Sequence, residues 1–168
     1  MQIKPYDASH VEAVVRLSLR AWSPVFDSLK GALDADVYQT FYPDGWRPSQ
    51  EKSVRETCAS TDMKLWVAIE AGTVAGFVAV RFHESKLGEI YMIAVDPDFQ
   101  RRGIAMAMTD FAVERMKEAG MEIAMVETGG DPGHAPPTRR QSSARCRWRA
   151  ISESSKRLLR RCTSVDAS

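Results

Sequence analysis

What the chain lacks narrows it first. Its 168 residues contain no run of about 18 apolar residues, the length a membrane-spanning helix needs. The N-terminus has neither the basic start nor the apolar centre of a secretory signal, so a cytoplasmic protein with no membrane partner is expected. Cysteine is scarce: Cys58, Cys146 and Cys162 are odd in number and widely spaced, which argues against a disulfide framework, a zinc site or a redox pair. Free thiols and no metal are expected. After Tyr91 there is no tyrosine at all. The net charge is only +1, but it is unevenly spread: residues 137–168 hold nine Lys/Arg against Glu153 and Asp166. Residues 1–136 hold 14 basic and 20 acidic side chains, so a mildly acidic domain carries a basic tail.

What is present is organised around one stretch, Gly88 to Ala105. Ile90 to Val95 has the β-branched and aromatic content of a buried strand. Asp96-Pro97-Asp98 stops it, because Pro97 offers no ladder donor and both aspartates favour turns. Beyond Gly103 the period changes, and Ile104, Met108, Phe111 and Met116 recur at roughly helical spacing. The first amides of such a helix have no intrahelical partner and lie at the positive end of its dipole. A loop leading into them can surround a phosphate with N–H groups. Gly103 permits close backbone approach, Ala105 keeps the next turn free of bulk, and Arg101 and Arg102 add positive charge. The stretch is neither G-x-x-x-x-G-K-[ST] nor G-x-G-x-x-G, so a nucleoside triphosphate or NAD is not its natural ligand.

Gln100-Arg101-Arg102-Gly103-Ile104-Ala105 resembles the [QR]-x-x-G-x-[GA] signature of the GNAT acetyltransferases, and the preceding strand and following helix fit it. The resemblance implies an α/β (α+β) GNAT fold: a mixed, mostly antiparallel central sheet flanked by helices, with one splayed parallel strand pair. It implies acetyl-CoA as cosubstrate and an amine as acceptor. The pantetheine arm would lie in the gap of the splayed pair, against the backbone of Ile93, Ala94 and Val95. The pyrophosphate would sit on Gln100, Arg101, Arg102, Gly103, Ile104 and Ala105. Homodimers are common in the family.

Along the chain, Met1 to Tyr6 alternates like an edge strand. Ser9 and Glu12 have the spacing of a capping box for a helix that Pro24 should end, with Arg16 and Arg20 facing water. Val25 to Trp46 is rich in aromatics, which fits either core packing or, by the resemblance, a wall of the acceptor site. Ser49 should cap a second helix through Ala59. Leu65–Glu70 and Thr73–His83 read as strands joined by an Ala71-Gly72 hairpin. Gly120 should close the helix after Gly103, and Glu122 to Val126 should run parallel to the central strand after a right-handed crossover.

An ammonium acceptor must lose a proton before its nitrogen can attack. Glu89, fourteen residues before Gly103, matches the general-base glutamate of some GNAT members and is the candidate catalytic residue. The competing reading is a solvated glutamate at a strand start. Glu127, His83 and His134 are weaker candidates.

The resemblance fails beyond Pro136. A tyrosine that would protonate the departing thiolate is expected near Gln141, and a closing pair of strands after it; the chain instead turns arginine- and serine-rich. Residues 1–136 therefore read as the acetyltransferase domain and 137–168 as an atypical basic segment. Two readings of that segment stand. One is a displaced reading frame, which would leave the sheet without its last two strands and with an exposed edge. The other is a genuine basic tail, helical from Ser152 to Cys162. Nucleic acid is not the expected partner, since little aromatic residue beyond Trp148 interleaves the arginines. A non-catalytic acyl-CoA-binding module is the alternative to the enzyme.

Overall fold

The computed structural model describes residues 1–126 and the backbone of 147–150. In chain order the elements are β1 (Gln2–Pro5), α1 (Val11–Ala32), α2 (Ala35–Phe41), α3 (Trp46–Ala59), β2 (Met63–Glu70), β3 (Thr73–Phe82), β4 (Leu87–Val95), α4 (Ile104–Glu118), β5 (Ile123–Val126) and β6 (Arg147–Ala150). The strands form one sheet in the order β1-β2-β3-β4-β5-β6. Every neighbouring pair is antiparallel except β4 and β5, which are parallel. This is the mixed sheet the family resemblance implies.

Alternation along the strands sends side chains to two cores. On one face Val78, Val80, Ile90, Val95 and Ala124 pack against Ile104, Met108, Ala112, Val113 and Met116 of α4. On the other, Val67, Phe77, Ala79 and Ala94 meet Val14, Val15 and Leu17 of α1 and Val54 of α3. Ile90 and Val95 share a face although five residues apart, which strict alternation forbids. A bulge resolves it: Ala79 pairs with Met92 but Val80 with Ile90, so Tyr91 is the extra residue on β4. Close packing of α4 depends on Gly88, where a β-carbon would come within 2.6 Å of Met116 Cγ.

Several local expectations hold. Ala71 and Gly72 both have positive φ (48° and 78°), as a tight β2–β3 hairpin demands. Gly120, at φ 77°, closes α4 in a Schellman motif: its amide donates to Lys117 O (2.9 Å), and that of Met121 to Met116 O (3.0 Å).

Others are corrected. The first cap is Asp7, not Ser9: Asp7 accepts the Ser9 amide at 2.9 Å, while its own amide donates to His10 Nδ1 at 3.1 Å. An aspartate two residues earlier out-competes the serine because a single turn of 3-10 helix, Ala8–His10, precedes α1. Pro24 does not end α1, which runs on to Ala32. The proline forfeits the bond its amide would make to the Arg20 carbonyl. Burial of Val25 and Phe26 immediately after it holds the helix together. Phe26 stacks on Trp46 (centroids 4.4 Å apart, planes 8° apart) and meets Tyr42 edge-on. Helix α3 starts at Trp46 with Gly45 before it, three residues ahead of Ser49. Pro48, which suits a first helical turn, falls inside that turn. The sheet does not end at β5, because β6 pairs with it antiparallel from Ile123↔Ala150 to Val126↔Arg147. Unpaired edge groups of β5 can pair with the main chain of 147–150, which contains no proline to break the ladder. Glu127, His134, the position of Gln141 and the helix expected over Ser152–Cys162 lie outside the described residues. Among the described residues no helix is long and apolar enough to cross a membrane.

Candidate active site

The site is built along β4. Its first half, Leu87–Ile90, pairs with β5 (Leu87↔Ile123 to Ile90↔Val126) as well as with β3. Beyond the bulge at Tyr91, from Met92 to Val95, it pairs with β3 alone among the described residues. Half of the N–H and C=O groups over this second stretch therefore face an edge that no described strand covers. Ile93, Ala94 and Val95 lie here: Ala94 and Val95 are buried, and Ile93 half-buried, by side chains committed to the two cores. Their backbone is what they offer a ligand.

After Val95 the chain makes a 3-10 turn over Pro97–Phe99, capped by the Asp96 carboxylate accepting the Asp98 amide at 3.0 Å. Gln100 folds back, its Nε2 donating to Val95 O at 3.0 Å, so its amide shapes the loop from within. Arg101 (φ 61°) and Gly103 (φ 80°) then both take left-handed backbone. For an arginine that conformation carries steric strain, a cost that clusters at ligand-holding loops. The first helical bond of α4 runs from Ala107 N–H to Gly103 O at 3.0 Å. The amides of residues 101–106 find no hydrogen-bond acceptor among the described residues. A β-carbon on Gly103 would meet nothing within 4 Å, so the loop is open at that point. Arg101, Arg102 and Ala105 are exposed around it, and Ile104 is buried as the first anchor of α4. Arg102 is tethered, donating from Nη2 to Asp98 O (3.0 Å) and lying 5.3 Å over the Phe99 ring.

At the other end of β4, Glu89 is not a solvated strand-start residue. Its side chain is only 14% exposed, with Oε2 2.9 Å from His83 Nε2 and 3.7 Å from Arg81 Nη1. The β3–β4 register, with Arg81 opposite Glu89, brings these three together. Arg81 also lies 4.5 Å over the Tyr91 ring. A carboxylate hydrogen-bonded to a partly exposed imidazole can accept a proton and pass it to solvent. His83 was legible only as a lone loop histidine. Its signal was its six-residue spacing from Glu89 across a hairpin turn, which needs the register to interpret.

Reasoning from the residues alone missed Arg20. It is exposed, as expected, but it also reaches from α1 to the loop, Nη1 donating to both Asp96 oxygens (2.9 and 2.8 Å) and Nη2 to Asp98 Oδ2 (3.0 Å). Among the described residues no cluster of three metal-ligating side chains occurs.

Residues 35–135 match the family model for the acetyltransferase (GNAT) family. A mycothiol acetyltransferase of Actinosynnema mirum is 28% identical over 141 residues, covering 83% of this chain and 42% of that protein. Another, of Propionibacterium freudenreichii, is 32% identical over 45% of this chain and 32% of its own length. The chain thus spans less than half the length of these relatives. Among solved structures, a GNAT-family acetyltransferase of Staphylococcus aureus superposes with a TM-score of 0.59 at 15% identity, covering 90% of this chain and 99% of that one. The ribosomal-protein-S18-alanine N-acetyltransferase of Escherichia coli gives 0.57 at 17% identity, covering 76% and 66%. With the strand, the loop of free amides and the helix all present inside the matched region, the chain belongs to the GNAT family of acetyltransferases.

Proposed function

We propose that the chain is an acetyl-CoA-dependent N-acetyltransferase whose acceptor is an amine: a small molecule, a peptide N-terminus or a lysine side chain. The observation that carries this reading is the run of unpartnered amides at residues 101–106, continuous with the uncovered edge of β4. The amides and the α4 dipole would hold the coenzyme pyrophosphate, with Arg101 and Arg102 at its rim. The backbone of Ile93, Ala94 and Val95 would bond the pantetheine amides. The acetyl thioester would then lie along the middle of β4, within reach of the Glu89 end.

The ammonium form of the acceptor gives up one proton to Glu89, and the freed lone pair attacks the thioester carbonyl. A C–N bond forms, the tetrahedral oxyanion collapses, and the C–S bond breaks with CoA leaving as thiolate, which takes up the second nitrogen proton through solvent. His83 and Arg81 hold the Glu89 carboxylate in place. A central-strand amide facing the open edge would stabilise the oxyanion, a contribution of about 3 kcal/mol where a donor is preorganised. In this reading residues 1–136 are the catalytic domain and 137–168 an appended basic segment. The protein works in the cytoplasm as a monomer or a pair of identical copies, without membrane or nucleic-acid partners.

One observation favours a second reading, a CoA-binding module without turnover: no tyrosine follows Tyr91 to protonate the thiolate. Titration calorimetry with CoA, followed by thiol release from acetyl-CoA across a panel of amines, separates the two. The enzyme reading expects binding and amine-dependent thiol release. Binding with no release above background for any amine supports the module.

A further inference from the structure

We propose that Arg20 is a positioning residue for the coenzyme. By cancelling the charge of Asp96 and Asp98 it keeps the amides of residues 101–106 receptive to a phosphate. The inference rests on the phosphate-loop reading above and extends it to a side chain on a different element.

The loop faces a chemical conflict. Its turn needs the Asp96 carboxylate, 7% exposed, to cap the Asp98 amide. Asp98 follows two residues later and is largely exposed. Arg101 lies only three positions beyond Asp98, at most about 10 Å of extended chain, which is close to one Debye length in physiological salt. An incoming pyrophosphate would meet two carboxylates that solvent ions screen only in part. Arg102 bonds neither carboxylate: its guanidinium donates to the Asp98 carbonyl. Arg20, 76 residues earlier in the chain than Asp96, bonds both: its planar fork spans the two carboxylates with three bonds of 2.8–3.0 Å. The Arg20–Asp98 arm lies in solvent on both sides, where ion pairs add little to fold stability. Its main effect falls on the charge an anion meets.

The test is calorimetric titration of CoA into wild type, R20Q, D98N and R20Q/D98N, with a thermal melt of each. R20Q should weaken CoA binding about tenfold, and the deficit should shrink several-fold in 0.5 M NaCl. D98N alone should bind at least as tightly as wild type, and adding it to R20Q should recover at least a third of the loss on a logarithmic scale. R20Q at wild-type affinity overturns the proposal. So does a deficit that neither salt nor D98N reduces, which would make Arg20 a structural tether only. If R20Q fails to fold, D98N decides alone: more than threefold weaker binding contradicts the account. Absence of any heat with the wild-type protein would instead bring down the phosphate-loop reading itself.

Discussion

The two halves of β4 are built differently. Over Leu87–Ile90 the strand is flanked on both sides, its backbone is consumed by β3 and β5, and what it presents is a side chain, Glu89, steadied by His83 and Arg81. Over Met92–Val95 it has a single neighbour among the described residues, its side chains are mostly core, and what it presents is main chain. The loop that follows continues this second mode, with six amides and two left-handed residues. The bulge at Tyr91 marks the change. On the proposed reading, proton chemistry would be carried by replaceable side chains, and coenzyme binding by backbone that few substitutions can alter. Binding and turnover should come apart on mutation.

The sharpest way to break that division is Gly103→Val. A β-branched residue at φ 80° is strained, and it would add bulk to an open point of the loop between the flanking amides. CoA affinity should fall at least about 100-fold by calorimetry, from strain and occlusion together. Retained affinity would contradict the phosphate loop. Next in size is Glu89→Gln, which should lower kcat by about 100-fold while leaving the Kd for CoA within about twofold. The remaining pH–rate profile should lose the limb that reports the base. An unchanged profile removes Glu89 from the mechanism, and a parallel loss of CoA affinity would show that the halves are not separable. Gly88→Ala probes the doubly paired half for stability. The new methyl must displace Met116, so unfolding in urea should show a loss of about 1–3 kcal/mol with CoA affinity preserved in the folded protein. The smallest effect concerns Cys58, far from either half in function. Burial pushes its thiol above the usual cysteine range, so in a C146S/C162S protein it should react with a chromogenic disulfide several-fold more slowly at pH 7.5 than free cysteine. Reaction at the free-thiol rate would mean an open, unperturbed site.

Much of the second half of β4 was legible in the residues because it is local. Ile90 to Val95, Asp96-Pro97-Asp98, Gly103 and the helix behind it form one contiguous pattern, and backbone function needs only that the backbone bend there. The Ala71-Gly72 hairpin and the Gly120 stop are local in the same way. What escaped was whatever depends on distant partners. Arg20 on an exposed helix face reads as solvated until the fold places Asp96 and Asp98 against it. The pairing of His83 with Glu89 needs the β3–β4 register, and the bulge at Tyr91 is invisible in a run of apolar residues. Pro24 misled because local propensity was outweighed by the burial of Val25 and Phe26 just beyond it. At the first cap Ser9 and Asp7 both offer an oxygen, and the short 3-10 turn decided between them. Strand β6 was hidden by an arginine-rich composition, since edge pairing draws on main chain rather than on strand-favouring side chains.

The central claim is that main-chain amides of residues 101–106 grip the coenzyme's pyrophosphate. Amide resonances followed by two-dimensional NMR during titration test it most directly. With CoA, the peaks of Gly103, Ile104 and Ala105 should move downfield along one saturating curve, and pantetheine, which has no phosphate, should leave them in place. Shifts confined to other parts of the chain, or the same shifts with pantetheine, would contradict it.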